Sequence, residues 1–418
     1  MAINGKSNGK ANGNDACTAD IAPVIIAGAG PVGCTIALYL ARQGIPITLI
    51  EAEADLPEDL RASTFHPPTL DLLDTLELTE KLIPQGLIVP DYQYRDRRTN
   101  DIAKFKMSYL EGETKHPYRL QCEQFKMTRT VVEILKDFPN ATVHFNTQVK
   151  GYRETDTGVN VLCFAEGDEL LIEGSYLIGS DGANSVVRQS SGVKFEGLTY
   201  PERFLVVSTK HKFENYFEDL SYVNYVSDPD EWCVILKTVD LWRVLIPTDP
   251  GAKPEDLLAD AFIEERLQRL APKDTPYKIS HRTLYRVHQR VAETYRPRQK
   301  VLLAGDAAHI NNPLGGMGMN GGLHDAFNLA EKLLRIIRDG ENEDELLDLY
   351  NRQRRGICID FIQAQTLRNK ALMEATEESV QRKRQAEFMK ASSDPDLAKT
   401  FLLKTSMIDC LKDSFAIA

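Results

Sequence analysis

The sequence predicts an α/β fold. It has a Rossmann-like β-α-β unit with an antiparallel meander, interleaved with a mixed-sheet unit and followed by a helical C-terminal region. Three observations carry this. Gly28-Ala29-Gly30-Pro31-Val32-Gly33 follows a short apolar run and opens an apolar, helix-like segment. Between Thr142 and Glu173 apolar and polar residues alternate, broken by Asp156-Thr157-Gly158 and Glu166-Gly167-Asp168. A second glycine-rich stretch, Gly315-Gly316-Met317-Gly318-Met319-Asn320, lies far along the chain, after Gly305-Asp306. One such loop is a weak signal, but two at opposite ends of the chain suggest one extended cofactor lying across the fold.

The 418 residues suffice for two or three units around sizeable cores. With 50 Lys+Arg against 61 Asp+Glu the formal net charge is -11. That argues against nucleic acid or an anionic membrane as a bulk partner and leaves room for a local basic pocket. Seven cysteines are scattered, without a metal-type C-x-x-C pair, which fits a reduced, cytoplasmic setting and no metal. Residues 1–20, rich in Asn, Gly, Lys and Ala, read as a disordered tail and not a signal peptide. Ile21 to Ala41 is apolar, but its glycine loop and Pro31 argue against a membrane span.

Val24 to Ala27 reads as a buried parallel strand, Val32 to Gln43 as a helix stopped by Gly44, and Ile47 to Ile50 as a second strand ending at Glu51. Pro67-Pro68-Thr69 opens a helix with Leu70, Leu73, Leu76 and Leu78 inward. Phe125 to Lys136 is a further helix, with Val132 and Leu135 inward. Thr142 to Val149, Gly158 to Phe164 and Leu170 to Glu173 form the meander, and Tyr176 to Ile178 a buried strand leading into Gly179-Ser180-Asp181-Gly182. Phe195 to Ser280 is β-rich, crossed by one helix over Pro254 to Leu270, and Leu87 to Leu120 joins that sheet. The chain returns at Val301, then forms helices over Gly322 to Arg338 and Asn342 to roughly Met373. The expected organisation is a cofactor domain over 21–85, 120–190 and 296–340, a substrate domain over 86–119 and 191–295, and helices over 341–418. The final helices form either a homodimer contact or a cover on their own domain.

The chemistry follows from these placements. Gly28 allows a tight turn, Gly30 lets backbone approach a pyrophosphate, and Gly33 lets helix and strand pack closely. The helix N-terminus at Val32 offers N–H groups to phosphates. Glu51 can accept from both ribose hydroxyls, which favours FAD or NAD over NADP in this site. Asp181-Gly182 either caps a helix or touches the cofactor. Asp306, beside Gly305, can hold a ribityl hydroxyl. The N–H groups near Gly318, Met319 and Asn320 face the pyrimidine end of a flavin, where a helix N-terminus stabilises the charge of the reduced ring.

The three motifs, in this order and at these separations, resemble the group A flavoprotein aromatic hydroxylases, the p-hydroxybenzoate and phenol hydroxylase fold, from about Val24 to Arg355. Arg61-Ala62-Ser63, His288-Gln289-Arg290-Val291-Ala292 and His324-Asp325-Ala326-Phe327-Asn328-Leu329 are similar to the branch with 3-hydroxyphenylpropionate hydroxylase. The resemblance implies FAD, NADH or NADPH as reductant, and a monooxygenase that hydroxylates a small phenolic ring with O2 through a flavin C4a-hydroperoxide. It implies that Arg61 contacts the FAD pyrophosphate and Gln121 sits near the ribityl chain. Val149, ending a meander strand, meets adenine, Asp181-Gly182 serves FAD and NAD(P)H, and the Pro313 carbonyl faces the hydroxylated ring. This chain has Ser63 where phenol hydroxylases of the branch often carry an acidic base, so that base is not transferred. Substrate contacts are expected from the second sheet. Arg243 pairs with a carboxylate or phenolate, or faces FAD; Tyr222 or Tyr225, three apart and so on opposite faces, relays a proton or packs in the core. His66 approaches the flavin or braces a helix start, and His309 braces the Gly305-Asp306 loop. Rival readings are a reductase or dehydrogenase of the same fold and a non-catalytic flavin-binding protein. A flavin-dependent halogenase is disfavoured, because its W-x-W-x-I-P signature is absent.

Overall fold

The computed structural model describes residues 21–58, 62–228, 230–374 and 377–418. The expected tail at 1–20 and Arg61 lie outside the described residues. Five short strands form a parallel sheet in the order Val301–Leu303, Tyr176–Gly179, Val24–Ala27, Ile47–Ile50, Ala141–His144. Its central strands are buried throughout because helices close both faces of such a sheet. The helices Pro31–Arg42 and Met317–Asp339 pack against each other, with Tyr39 edge-on to Phe327 at 6.0 Å.

Several sequence expectations shift. Thr142 to Val149 is not one strand. Asn146 takes a left-handed φ of 49°, so Ala141–His144 ends as the outer parallel strand and Thr147–Glu154 begins the meander. Val149 therefore lies inside a strand, opposite Cys163 at a register shift. In the helix Gln124–Leu135, Val131 and Leu135 are buried in the core and Val132 packs against it, partly buried. The helix expected from Gly322 starts at Met317, behind Gly316 in the left-handed region, and stops at Gly340. Pro254 to Leu270 divides into Pro254–Leu257 and Asp260–Leu270. The helix expected from Asn342 is Glu343–Ile357, a π-helical turn Cys358–Gln363 and Ala364–Glu374.

The second sheet has eight strands, ordered His309–Ile310, Ile279–Ala292, Phe195–Thr209, Trp242–Pro247, Cys233–Lys237, Val223–Ser227, Asp91–Asp96, Ile102–Lys106. Period-2 alternation divides its side chains between two layers. Leu205, Val207, Ile235, Trp242 and Val244 pack on Ile263 and Leu267 of a surface helix. Phe204, Val223, Tyr225 and Val234 pack with Tyr92, Phe105 and the C-terminal Phe388 and Leu402. Tyr94 stacks on Phe388 at 4.0 Å and Phe105 on Phe401 at 4.4 Å.

Only Asp91–Asp96 and Ile102–Lys106 of the segment Leu87 to Leu120 join this sheet. Leu87–Val89 pairs with Arg119–Gln121, which also pairs with Thr64–Phe65, in a small antiparallel sheet. That small sheet carries side chains toward both larger ones. Among the described residues no helix is long and apolar enough to cross a membrane.

Candidate active site

The first loop is shaped by backbone contact. Gly28 has φ 98° and its N–H donates to the Ile50 carbonyl at 2.7 Å. A Cβ at Gly33 would lie 2.0 Å from the Gly28 carbonyl oxygen, so only glycine fits there. Gly30 differs: a Cβ there meets nothing within 4 Å, so open space lies over the loop. Glu51 is anchored at the loop's edge. The Ala29 N–H donates to Oε2 at 2.9 Å and the Glu53 N–H to Oε1 at 3.1 Å.

The other two motifs converge on this loop. Val32, at the helix start, fills the space a side chain at Gly305 or Gly322 would take; each built Cβ falls 2.7 Å from Val32 Cγ2. Asp181 Oδ2 accepts from the Val186 and Val187 N–H groups at 2.7 and 3.2 Å, while its Oδ1 is a buried acceptor with no donor. Burial pushes the Asp181 carboxyl upward. Gly182, at φ 79°, has open space where a Cβ would stand. Arg188 ties the second motif to the third, donating to the carbonyls of Ala307 and Ala183, both at 2.8 Å. Asp306 stands exposed on a one-turn helix, Gly305–Ala307, whose other residues are buried.

Behind that turn lies a buried charged network. Asp325 Oδ2 accepts from His309 Nε2 at 2.7 Å and from the Gly305 N–H at 3.1 Å, and Oδ1 accepts from Arg354 Nε at 2.7 Å. Burial opposes charge on His309, but the Cys358 sulfur and the Asp325 carboxylate outweigh it and hold the imidazole well above its usual range. His309 therefore braces the loop.

On the far side, Gly315 and Gly316 adopt positive φ and deliver the chain into the helix Met317–Asp339, whose N-terminus has no side-chain cap. Gly318 and Met319, partly buried, sit in that uncapped first turn. Asn320 fixes it: Oδ1 accepts from the His66 N–H at 2.9 Å, and Nδ2 donates to the carbonyls of Thr64 and Gly316. His66 Nε2 donates to the Gly315 carbonyl at 2.8 Å, so His66 also braces this loop. Burial, followed by the Arg119 charge, holds His66 well below its usual range, and therefore neutral. Pro313, half-buried, begins the turn closed by the Gly316 N–H on its carbonyl at 3.0 Å.

Gln121 is fully buried and forms the hub between the two sides. Its Oε1 accepts from Ser63 at 3.0 Å and Thr64 at 3.1 Å. Ser63 in turn accepts from Arg243 Nη1 at 3.5 Å, a long contact. Arg243 is opposite Leu236, itself opposite Val223, so it shares a face with Tyr225. Tyr222, just before the strand Val223–Ser227, accepts from the Lys237 N–H through its carbonyl and has Lys237 Nζ 5.2 Å from its ring centroid; its ring borders the layers on both faces. Of the two tyrosines, Tyr225 is thus the one beside Arg243. Tyr285 also lies close enough for the Arg243 charge to work against the upward shift its burial causes. The sequence reading missed Arg119, two residues before Gln121 on the same strand face. Its one local mark is a cation two positions from Gln121 within a strand, and that does not show that the cation is buried.

The arrangement suits a long dinucleotide. Open space over Gly30, two helix N-termini without side-chain caps, the unmatched Asp181 Oδ1 and the outward Asp306 line one path along the three loops. A separate cavity of about 390 Å³ between Trp232, Pro247 and Met373 touches none of these loops, and its lining of Asp228, Asp230, Glu231, Asp249 and Glu374 disfavours an anionic ligand.

Comparison with known proteins agrees with this reading. The family described as "FAD binding domain" matches residues 21–365. The chain is 34% identical over 385 residues to para-nitrophenol 4-monooxygenase of Pseudomonas sp. (strain WBC-3), covering 91% of this chain and 94% of that one. It is 34% identical over 344 residues to 6-hydroxy-3-succinoylpyridine 3-monooxygenase HspB of Pseudomonas putida (strain DSM 28022 / S16), covering 81% and 86%. The crystal structure of p-nitrophenol 4-monooxygenase PnpA from Pseudomonas putida DLL-E4 superposes with a TM-score of 0.87 at 31% identity, over 94% of this chain and 98% of that one. With three glycine-bearing loops converging in one fold and relatives matched along nearly their whole length, the chain belongs to the FAD-binding-domain family, among its FAD-dependent aromatic monooxygenases.

Proposed function

We propose that this enzyme hydroxylates a small phenolic ring bound between the Pro313–Gly316 turn and the Arg243 face of the eight-stranded sheet, with NADH or NADPH as reductant. The observation that carries this is the buried relay Arg243–Ser63–Gln121, which joins that face to the cofactor side. The relatives that act on nitrophenol and hydroxypyridine support a compact ring substrate.

Each residue then has a task. Gly28, Gly30, Val32 and Gly33 take the pyrophosphate and Glu51 the ribose. Asp181, Gly182, Gly305 and Asp306 line the middle of FAD, with Gln121 near the ribityl chain and Val149 toward adenine. Gly318, Met319 and Asn320 present the uncapped helix start to the ring's pyrimidine edge, where it stabilises negative charge. FAD, when bound, supplies the redox chemistry of oxygen transfer. The protein's own part is to hold the ring against the Pro313 carbonyl, exclude water and favour the phenolate through Arg243. A phenol ionises near about 10 in water, and a guanidinium in a dry site lowers that.

We further assign the cofactor domain to 21–85, 120–190 and 296–340 and the substrate domain to 86–119 and 191–295. The described cysteines are all free and buried, which supports a reducing, cytoplasmic setting. Exposed Val380, Met389, Leu397 and Phe415 on the last helices support a homodimer contact, testable by sedimentation.

The reaction is tested with yellow holoprotein and a panel of phenols, following NAD(P)H oxidation and product mass. A phenol that both accelerates oxidation and gains one oxygen atom is expected. Product formation without dioxygen would instead identify a reductase. Absence of acceleration by every phenol overturns the proposal.

A further inference from the structure

Arg119 belongs to the strand Arg119–Gln121, and its side chain leaves the same face as Gln121. It is 2% exposed. Its guanidinium carbon stands 4.1 Å from the centroid of the Tyr92 ring. Among the described residues it has no ion pair and no hydrogen bond, and its Nε is a buried donor with no acceptor. The titratable groups that feel its charge include His66, Tyr92 and Tyr94, none of them an anion at neutral pH.

A guanidinium does not shed its proton, so it cannot escape burial by becoming neutral. Burying a charge without a counter-ion is strongly destabilising. One ring contact offsets only part of that cost. The missing partner is therefore an anion that arrives with the ligand. The groups around Arg119 identify which ligand. Tyr92 packs 6.3 Å from Tyr225, which shares the Arg243 face. His66 holds Gly315 of the turn that carries Pro313. Gln121 leads through Ser63 toward Arg243. These are the walls of the ring site proposed above, so the argument rests on that placement.

We propose that Arg119 determines specificity, binding a negatively charged oxygen substituent of the aromatic substrate, a phenolate or carboxylate, and restricting the site to anionic rings. The charge sits on a rigid strand and is already dehydrated, so it discriminates by leaving neutral rings with an uncompensated cation.

The test uses FAD-loaded wild-type, R119Q and R119K enzymes, titrated with 4-nitrophenol at a pH where it is ionised and with the neutral 4-nitroaniline. Binding is read from the change in the flavin visible spectrum. The wild type is expected to prefer the anion by about 30-fold, which is about 2 kcal/mol. R119Q should lower that preference to within about threefold, and R119K should recover part of it. An undiminished preference in R119Q, or no preference in the wild type, overturns the proposal. Thermal unfolding of R119M without ligand is the second check. Its midpoint should match or exceed that of the wild type, because an uncompensated buried cation has been removed; a clear fall would make Arg119 structural and overturn the proposal. Product analysis separates the two claims. Arg119-dependent binding without any hydroxylated product overturns the assigned reaction alone. Hydroxylation of 4-nitrophenol with unchanged kcat/KM in R119Q overturns this assignment alone.

Discussion

The proposed cofactor side and the proposed ring side of this enzyme are built by opposite means. Along the three loops the decisive feature is the missing side chain: Gly33 lies against the Gly28 carbonyl, Gly305 and Gly322 against Val32, and Gly30 under open space. Around the ring site the decisive features are large buried side chains, Arg119, Arg243, Gln121 and His66, supplied by distant stretches of chain. The comparison teaches that one half is held by backbone geometry and tolerates no added atoms. The other is held by charge and hydrogen bonds, and there the identity of the side chain decides.

Paired glycine substitutions attack the first half and give the largest expected effect. Gly33→Ala drives a methyl group into the Gly28 carbonyl and the Ser180 hydroxyl at 2.6 Å, and is expected to destabilise by about 3 kcal/mol or more. Gly30→Ala has room and an ordinary φ of -70°, so the FAD-free protein should keep its urea midpoint. The methyl then occupies space that the cofactor needs, and FAD affinity should fall at least tenfold. If both variants lose stability equally, the space over Gly30 is structural and the contrast fails.

Asp325→Asn tests the charged brace behind the third loop. Removing one partner leaves Arg354 buried without compensation, a loss of about 3–5 kcal/mol. The pH dependence has a definite sign. Burial raises the Asp325 carboxyl, but His309 and Arg354 outweigh it and hold it low, so its contribution is present above the ordinary carboxylate range and is lost as pH falls through the lowered value. His309 is held high, so its contribution is present below the ordinary imidazole value and is lost as pH rises through the raised one. The stability gap between wild type and variant should therefore be widest between about pH 4 and 6.5. A gap independent of pH from 3 to 9 in urea titrations would contradict the ionised pair.

Arg243→Gln sharpens the ring side. The variant should keep FAD, since Arg243 Nη1 reaches toward the cofactor side at Ser63, outside the three glycine loops. Its kcat/KM for a phenolic substrate should drop about 10–100-fold, as for the loss of one charged contact. A loss of flavin instead of catalytic efficiency would move Arg243 to the cofactor.

The same division explains what could be read from the sequence. The cofactor side was legible because a β-strand, a glycine turn and a helix are local in sequence, and Gly28-x-Gly30-x-x-Gly33 states its requirement outright. The junction at Asn146 was not legible, because a single left-handed residue splits an apolar run without changing its alternation. The π-turn at Cys358–Gln363 also leaves no clear periodic mark. On the ring side, Arg243 was recognisable on its strand. Arg119 was not, because nothing local shows that a strand cation will be buried against a tyrosine from another sheet. The brace at Asp325 needed residues 309, 325 and 354 to meet, which only tertiary packing supplies.

The smallest effect is expected from Tyr222→Phe, and it tests the sheet register directly. Tyr222 and Tyr225 are three residues apart, and alternation sends them to opposite faces. Tyr225 stacks on Tyr94 at 4.9 Å, in the aromatic layer beside Arg243. Tyr222 lies with Lys237, which pairs with Glu214 at 2.8 Å, and with Trp242, whose Nε1 donates to the same carboxylate at 2.7 Å. Its ring borders both layers, but the Lys237 cation against it belongs to the helix-covered side. Removing it should change kcat and KM less than about twofold, within the range of an ordinary surface substitution. Tyr225→Phe, one face over, should change the substrate-induced flavin spectrum more. If Tyr222→Phe instead abolishes turnover while FAD stays bound, the proton relay runs through Tyr222 and the ring lies on the helix-covered face, contrary to the geometry of Arg243, Ser63 and Gln121.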